Sequence, residues 1–294
     1  MQKPAREQGR NRVSMQTPRI SASSYSNTAP LIWSFLYGAN HGKVELILDN
    51  APSRSAELLM QDRVDAALVP VIASQFIDGV KLVPNVCVGA KQKVRSVCLV
   101  TKGIDLKDVK SVSLDTSSRT SVILTKIIFR EFLGFEPVWR DAAPNIDAML
   151  VESDAALLIG DPALSIAECG VQSADQGEDS ALAIPHSAFK KFDLAELWHQ
   201  HTGLGFVFAM WMTKRENIDL DIVAARDEGL EHLDEIAANY APELGISKNE
   251  MHRYLSENIS FSIDESMGRG MELYFDLAAK HNLVDKKRPL IYLE

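Results

Sequence analysis

The sequence is poor in the features that mark several large classes of protein. Three cysteines, Cys87, Cys98 and Cys169, are scattered without a CxxC pair, which argues against a disulfide framework and favours a reducing compartment. No stretch approaches the roughly 20 apolar residues of a membrane-spanning helix. The formal net charge of -9 argues against a nucleic-acid partner. We therefore expect a cytoplasmic protein that binds neither nucleic acid nor membrane.

Familiar catalytic signatures are missing as well. The chain contains no P-loop, no GxGxxG, no HExxH and no GxSxG nucleophile elbow. His199 and His201 stand at a spacing that a metal could use only on a strand or loop, and no cysteine or acidic motif accompanies them. We interpret both as surface histidines, and we expect neither a metal nor an organic cofactor.

What the sequence does contain is an alternation of strand-like and helix-like segments from Arg19 onward. With 46% of its 294 residues hydrophobic, the chain can bury the core of one large or two modest domains. The alternation predicts an α/β fold with largely parallel sheets, followed by a helical tail over residues 219–284. In such sheets, binding sites form where strands end and helices begin. The strand ends of interest are Asn27 and Thr28, Pro70 and Val71, Thr116 to Ser121, and Gly160 and Asp161.

The richest of these strand ends is the segment from Asp115 to Ser121. It lies between an apolar strand, residues 109–114, and an apolar helix that continues from Val122, and it holds a dense cluster of hydroxyl side chains with one arginine. A helix N-terminus has unpaired N–H donors and a partial positive charge, so this segment predicts a site for a small anion. An ordinary helix cap, which needs only one or two such residues, is the alternative.

The amino-terminal segment differs in composition from the rest of the chain. Residues 1–18 are basic, but the apolar stretch of a signal peptide does not follow them, so they predict a disordered leader. Nothing before Met15 has the pattern of a folded element, and Met15 is therefore an alternative start.

Four segments, in this order and at this spacing, resemble the chorismate dehydratase family, the first enzyme of the futalosine route to menaquinone. They are Ser26 to Leu31, Asp115 to Val122, Leu157 to Leu164, and Trp198 to Trp211. The resemblance runs from about Arg19 to Leu293 and so includes nearly all of the chain except the leader.

The resemblance implies a two-lobed periplasmic-binding-protein-like (type II) fold with a central ligand cleft. Residues 19–100 plus 207–294 would form lobe 1, and residues 101–206 would form an inserted lobe 2. The chain would cross between the lobes near Thr101 and Phe206, and the strand ends named above would converge on the cleft.

The implied activity is that of a carbon–oxygen lyase, the loss of water from chorismate to give 3-[(1-carboxyvinyl)oxy]benzoate. Aromatisation of the ring drives this 1,2-elimination, so the enzyme needs to supply only orientation and modest acid–base help. The family mechanism is substrate-assisted, with the enolpyruvyl carboxylate removing the ring proton. A helix N-terminus would give an acidic protein the local positive potential that this small dicarboxylate needs.

The two key polar residues of the family correspond here to Asn27 and Ser96. They would hold the substrate and assist departure of its hydroxyl group, although Asn27 could instead cap a helix and Ser96 could bond to backbone. The other expected substrate-binding residues are Thr28, Ser118, Arg119, Thr120, Ser121 and Asp161.

These binding residues have different expected roles. The backbone N–H groups of Thr120 and Ser121 are expected to bind a carboxylate. Arg119 either pairs with the substrate or braces the fold from behind the loop. An acidic group beside a dianion is unfavourable, which favours a structural hydrogen-bonding role for Asp161.

The chain departs from the family pattern just before the key asparagine. Ser26 stands where the family often has an apolar residue, and the preceding segment Ser21 to Tyr25 is rich in hydroxyl groups. We therefore expect a more polar inner wall of the cleft than in related proteins.

Three other functions share this fold. The sibling dihydroxynaphthoate synthase carries a catalytic histidine in the segment that reads here Leu158 to Asp161, and Gly160 cannot act as a base. A small-acid solute-binding protein would need export or a lipid anchor, and neither a signal peptide nor a lipobox cysteine is present. A ligand-sensing regulator would carry an attached DNA-binding module. The sequence predicts no particular oligomeric state.

Overall fold

The computed structural model describes residues 17–166 and 189–294. All but the last two residues of the expected leader lie outside the described residues, and so does Cys169. The strands of the described part are β1 Arg19–Ser23, β2 Glu45–Asp49, β3 Ala66–Pro70, β4 Lys81–Ala90, β5 Val97–Thr101, β6 Ser111–Asp115, β7 Val138–Ala142, β8 Ala155–Ile159, β9 Lys190–Asp193 and β10 Phe206–Thr213.

Helices connect most of these strands. They are α1 Ala29–Leu36, α2 Pro52–Met60, α3 Arg119–Ile127, α4 Ile146–Glu152, α5 Gly160–Leu164, α6 Leu194–Thr202, α7 Ile222–Glu231, α8 Leu233–Leu244, α9 Lys248–Arg253 and α10 Glu265–Lys280. Short 3-10 turns cover Ser26–Thr28, Val71–Gln75 and Leu106–Asp108, and π-helical turns cover Ile128–Leu133 and Tyr254–Asn258. The predicted helical tail is formed by α7 to α10. None of the described helices is both long and apolar enough to cross a membrane.

The strands form two five-stranded sheets, in the orders β2-β1-β3-β10-β4 and β7-β6-β8-β5-β9. The central strands β3 and β8 are buried along their whole length, whereas the edge strands β2 and β7 are partly exposed. This distribution follows from sequence, because a strand covered on both faces must be apolar throughout. Each sheet therefore has its own buried centre.

Both sheets are mixed rather than largely parallel. Strand β1 runs parallel to β2 and β3, and β6 runs parallel to β7 and β8. Strand β10 is antiparallel to β3 and β4, while β5 is antiparallel to β8 and β9. The two strands that reverse direction, β5 and β10, are those that follow the passages of the chain from one sheet to the other.

The first passage between the sheets lies earlier than the expected position near Thr101. Strand β5 already pairs with β8 and β9, so the chain leaves the first sheet after Ala90 and enters the second at Val97. The backbone turns at Arg95, whose φ is 64°. The return passage lies between Thr202 and Phe206.

Helix α1 follows the end of β1 and packs in the core. Pro30 occupies its first turn, where the missing N–H costs no intrahelical bond, and α7 packs closely against it at Gly229. A Cβ on Gly229 would lie 1.8 Å from the carbonyl oxygen of Pro30. This tight contact holds α1 and the turn that precedes it.

Candidate functional site

A cleft lies between the two sheets. One wall comes from the ends of β1, β3, β4 and β10, and the other comes from β5, the first turn of α3 and the junction of β8 with α5. Residues from all four strand ends that the sequence indicated line it. The expected site residues that line the cleft are Asn27, Thr28, Ser118, Thr120 and Ser121.

The second-sheet wall is built on the N-terminus of α3. Ser118 is the N-cap, and its hydroxyl oxygen accepts a hydrogen bond from the Ser121 N–H at 3.3 Å. Thr120 lies in the first turn, where an α-helix leaves N–H groups without intrahelical partners. The helix cap and the predicted anion site are therefore compatible. The cap uses the N–H of Ser121 and leaves the rest of the first turn available to an anion.

On the first-sheet wall, Asn27 follows β1 in the 3-10 turn. It is 8% exposed and lines the cleft, and neither this turn nor α1 has a side-chain cap, so Asn27 is not a helix cap. The hydroxyl of Thr28 donates to the carbonyl oxygens of Ser23 at 2.6 Å and Tyr25 at 2.8 Å. Thr28 therefore braces the turn that presents Asn27.

Ser96 is not among the residues that line the cleft. It is fully buried just before β5, and its hydroxyl donates to the carbonyl oxygen of Val94 at 3.5 Å. Its own carbonyl oxygen accepts a hydrogen bond from the Gly160 N–H at 2.7 Å. The side chain is close to the hydroxyl of Tyr254, a residue that the sequence analysis did not single out.

Arg119 is the first helical residue of α3, and its side chain is partly exposed. Its guanidinium lies 3.5 Å from the carboxylate of Glu57, which also pairs with Arg54 at 2.9 Å. The ion pair with Glu57 joins α3 to α2, and Arg119 is not among the residues that line the cleft.

Asp161 also stays off the cleft wall. Its carboxylate accepts hydrogen bonds from the backbone N–H of Ser26 at 3.1 Å and from the Ser26 hydroxyl at 2.5 Å. Burial raises the pKa of Asp161, and the hydrogen bonds from Ser26 oppose that shift. Asp161 thus has a structural contact, and the unusual Ser26 supplies its donors.

Gly160 and Tyr25 meet at the edge of the cleft. Gly160 has a φ of 63°, and a Cβ at this position would lie 2.6 Å from the ring of Tyr25. The site therefore has no room for a side chain such as histidine at Gly160. Burial raises the pKa of Tyr25 to about 12, so its phenol is neutral near pH 7.

Asp115 lies beneath the α3 loop and is fully buried. One carboxylate oxygen accepts from the N–H and the hydroxyl of Ser117, at 2.9 and 2.6 Å, while the other has no partner among the described residues. Burial raises the pKa of Asp115. Asp115 organises the loop from below. Sequence reasoning placed it at the start of the motif without giving it a role.

The two histidines considered as metal ligands lie on α6. His201 is exposed and stacks on Phe132 with ring centroids 4.5 Å apart, and His199 contacts the carbonyl oxygen of Leu204 through Nδ1 at 3.3 Å. Residues two apart on a helix point to different sides. Within residues 17–166 and 189–294, no group of three His, Cys, Asp or Glu side chains could hold a metal ion.

Comparison with solved structures identifies the fold. A protein from Archaeoglobus fulgidus superimposes with a TM-score of 0.63 at 17% identity, covering 91% of this chain and 98% of that chain. The periplasmic aliphatic sulphonate binding protein SsuA from Escherichia coli gives a TM-score of 0.60 at 15% identity, covering 94% of this chain and 93% of that chain. The predicted two-lobed periplasmic-binding-protein-like α/β fold is confirmed.

Comparison of sequences identifies the family. A family model described as menaquinone biosynthesis matches residues 18–280. The chorismate dehydratase of Thermus thermophilus is 30% identical over 263 residues, covering 85% of this chain and 91% of that protein. This protein therefore belongs to the chorismate dehydratase family of menaquinone biosynthesis.

Proposed function

We propose that this protein is a carbon–oxygen lyase that removes water from chorismate, giving 3-[(1-carboxyvinyl)oxy]benzoate as the first step of the futalosine route. The main support for the proposal is the arrangement of the cleft in this protein, which is itself a relative of chorismate dehydratase. Asn27 lines one wall of the cleft, the first turn of α3 lines the other, and apolar side chains such as Leu68 and Phe208 also line it. Such a cleft suits a flat ring with polar groups at both ends.

The reaction requires loss of the hydrogen at the ring carbon that bears the enolpyruvyl ether and loss of the hydroxyl group at the adjacent carbon. The enolpyruvyl carboxylate takes the proton, the C–H electron pair forms the new ring double bond, and the C–O bond breaks. The departing hydroxide takes up the proton, so one water leaves and the ring becomes aromatic. The protein's task is to hold the substrate so that its carboxylate reaches this hydrogen.

The first turn of α3 would hold one carboxylate of the substrate. The N–H of Thr120 and the hydroxyl groups of Ser118 and Ser121 are donors on this wall, and the helix end adds a partial positive charge. Donors fixed in advance stabilise a negative charge without reorganisation during the reaction. This explains how a chain with a net charge of -9 can bind a dianion.

Asn27 would act at the other end of the substrate. Its side-chain amide has two N–H donors, and a donor directed at the departing hydroxyl group stabilises the charge that develops there. Ser96, which is fully buried and does not line the cleft, would support this geometry rather than touch the ring.

The lobes would close around the substrate. We assign residues 17–90 and 206–294 to lobe 1 and residues 97–166 and 189–202 to lobe 2, according to the sheet in which each strand is hydrogen-bonded. The Ser26–Asp161 hydrogen bonds join the two lobes beside the cleft. A lobe movement that makes and breaks this contact would admit chorismate and release the product.

The proposal is tested by incubating the purified protein with chorismate and following the products by chromatography and mass spectrometry. We expect a product that has lost the mass of one water and shows the absorbance of an aromatic ring. Asn27→Ala should lower kcat by about 10²-fold or more, because it removes a donor aimed at the developing charge.

The matched control is Asn217→Ala, the same change at an exposed residue outside the cleft. It should retain the activity of the unmodified protein. Chorismate bound tightly but recovered unchanged would contradict the proposal and indicate a small-acid binding protein. Equal activity of Asn27→Ala and Asn217→Ala would contradict the role of Asn27.

A further inference from the structure

Tyr254 carries a polar group that the folded chain leaves without a partner. The residue begins the π-helical turn after α9 and is fully buried, and its hydroxyl makes no hydrogen bond among the described residues. A buried hydroxyl without a partner is costly and uncommon in folded proteins, so such a group calls for an explanation.

The position of this hydroxyl supplies the explanation. It lies beside the side chains of Ser96 and Asn27, the two residues proposed to direct the elimination. Within the described part of the chain, the one hydrogen bond of the Ser96 hydroxyl is the contact of 3.5 Å to the Val94 carbonyl oxygen, at the limit of a hydrogen bond. Three polar side chains therefore converge with few hydrogen bonds among themselves, next to the wall of the cleft.

Two further contacts hold these groups together. The guanidinium of Arg95, the residue before Ser96, pairs with Glu250 at 2.6 Å, and Glu250 lies four residues before Tyr254 along α9 and the turn that follows it. The N–H of Arg95 also donates to the buried carboxylate of Asp193. The segment that carries Ser96 is thus anchored to the helix that carries Tyr254, and their proximity is built into the fold.

We propose that Tyr254 is a positioning residue whose hydroxyl bridges Ser96 and Asn27 when substrate is bound. A phenol can accept a hydrogen bond from one neighbour and donate its single proton to the other. The bridge would fix the Asn27 amide with its remaining groups toward the cleft. Tyr254 does not line the cleft itself, so it acts through Asn27. This inference rests on the proposed function.

The electrostatic surroundings are consistent with this bridge. Burial raises the pKa of Tyr254 well above its usual value, so the phenol keeps the proton that the bridge requires. A residue that fixes the orientation of a reacting complex affects the chemical step more than it affects substrate binding. The bridge therefore predicts a change in kcat with little change in KM.

The test uses Tyr254→Phe, which removes only the hydroxyl oxygen and keeps the ring in its place. We expect kcat for chorismate to fall about tenfold or more and KM to stay within about twofold. The unfolding temperature should be unchanged or higher, because the variant no longer buries an unpaired polar atom. Wild-type kcat in the variant, or a lower unfolding temperature without a kcat effect, would overturn the proposal.

Tyr292→Phe is the matched control. Tyr292 is exposed. Its backbone pairs with that of Leu82 on β4, six residues from Val88 on the cleft wall. The same atom is removed there, and both kcat and KM should remain those of the unmodified protein. A loss of kcat in this control equal to that of Tyr254→Phe would also overturn the proposal.

A double-mutant cycle tests the route of the effect. If Tyr254 acts in one unit with Ser96, Tyr254→Phe should cause little further loss of kcat in a Ser96→Ala background. Fully additive losses would overturn the bridge. An unmodified protein that fails to dehydrate chorismate contradicts the proposed function. A Tyr254→Phe variant with the kcat of the unmodified protein contradicts only the bridge.

Discussion

Hydroxyl and amide groups make up the polar part of the cleft wall, and each depends on residues behind it. Thr28 braces the turn that presents Asn27, and Asp115 holds the loop below Ser118 through its bonds to Ser117. Neutral polar groups have little long-range attraction, so their effect on a substrate depends on exact placement. At the scale of residues, the site depends on the residues that hold its side chains in place as much as on the side chains that line the cleft.

Gly160 allows a prediction at this scale. Gly160→Ala should lower the free energy of unfolding by about 2 kcal/mol or more, because its φ of 63° disfavours a Cβ and the Tyr25 ring occupies the space. It should also lower activity, since Tyr25 lines the cleft and must move. Chemical denaturation and chorismate turnover measure the two effects.

Gly134→Ala separates the two causes. Gly134 has a φ of 77°, but nothing lies within 4 Å of the added Cβ. This variant should lose only about 1 kcal/mol and keep full activity. An equal loss in both variants would show that the contact with Tyr25 contributes nothing.

At the scale of elements, helix α3 combines two functions at one end. The Ser118 cap satisfies the Ser121 N–H and so shapes the same first turn that is proposed to bind a carboxylate. The segment is also fixed from the other lobe, because the Thr120 carbonyl oxygen accepts a hydrogen bond from Tyr274 at 3.1 Å. A helix end that is held on several sides presents its donors in one orientation.

Ser118→Ala tests this dual role. Loss of the cap should cost about 1 kcal/mol of unfolding free energy. Because Ser118 also lines the cleft, KM for chorismate should rise several-fold in steady-state kinetics. The control is Asn145→Ala, which removes the cap of α4, where Asn145 accepts from the Ala148 N–H at 3.0 Å. Asn145→Ala should show a similar loss of stability with an unchanged KM. A raised KM in Asn145→Ala would argue that loss of a helix cap alone explains the higher KM of Ser118→Ala.

At the scale of the whole molecule, hydrogen bonds join the two lobes at several points. Besides Ser26 with Asp161, the Ile72 N–H donates to the Thr120 hydroxyl oxygen at 3.3 Å, and the Ser53 N–H donates to the Ser117 carbonyl oxygen at 3.2 Å. Each bond joins the first sheet's lobe to the second sheet's lobe. Their strength should influence how far the cleft opens.

Ser26→Ala should shift the molecule toward an open cleft. The variant removes the hydroxyl that donates to Asp161 but keeps the backbone N–H contact. In solution scattering without ligand, we expect a larger radius of gyration than for the unmodified protein and a higher KM for chorismate.

Ser24→Ala provides the matched control on the same strand end. The Ser24 hydroxyl donates to Asn50 at 2.8 Å, within one lobe, so its loss should leave the radius of gyration unchanged. Identical scattering of the Ser26 variant and the unmodified protein would exclude this contact as a determinant of closure.

Features that depend on neighbours along the chain can be predicted from the amino-acid sequence alone. Alternating apolar segments established the α/β fold, the hydroxyl-rich stretch before an apolar helix indicated the α3 terminus, and the four ordered segments indicated the family. Local periodicity and helix capping are decided within a few residues, so they can be read directly from sequence. The convergence of four strand ends on one cleft followed from the general geometry of such sheets.

The surroundings of the side chains in these segments depend on tertiary packing. Arg119 pairs with Glu57, Ser96 is fully buried away from the cleft lining, and Tyr254 comes close to Ser96 and Asn27 from far along the chain. Ser26 and Asp161 are separated by 135 residues, and the contact between them exists only because the two lobes meet. Such contacts depend on packing between distant elements, for which a single sequence has no periodic signal.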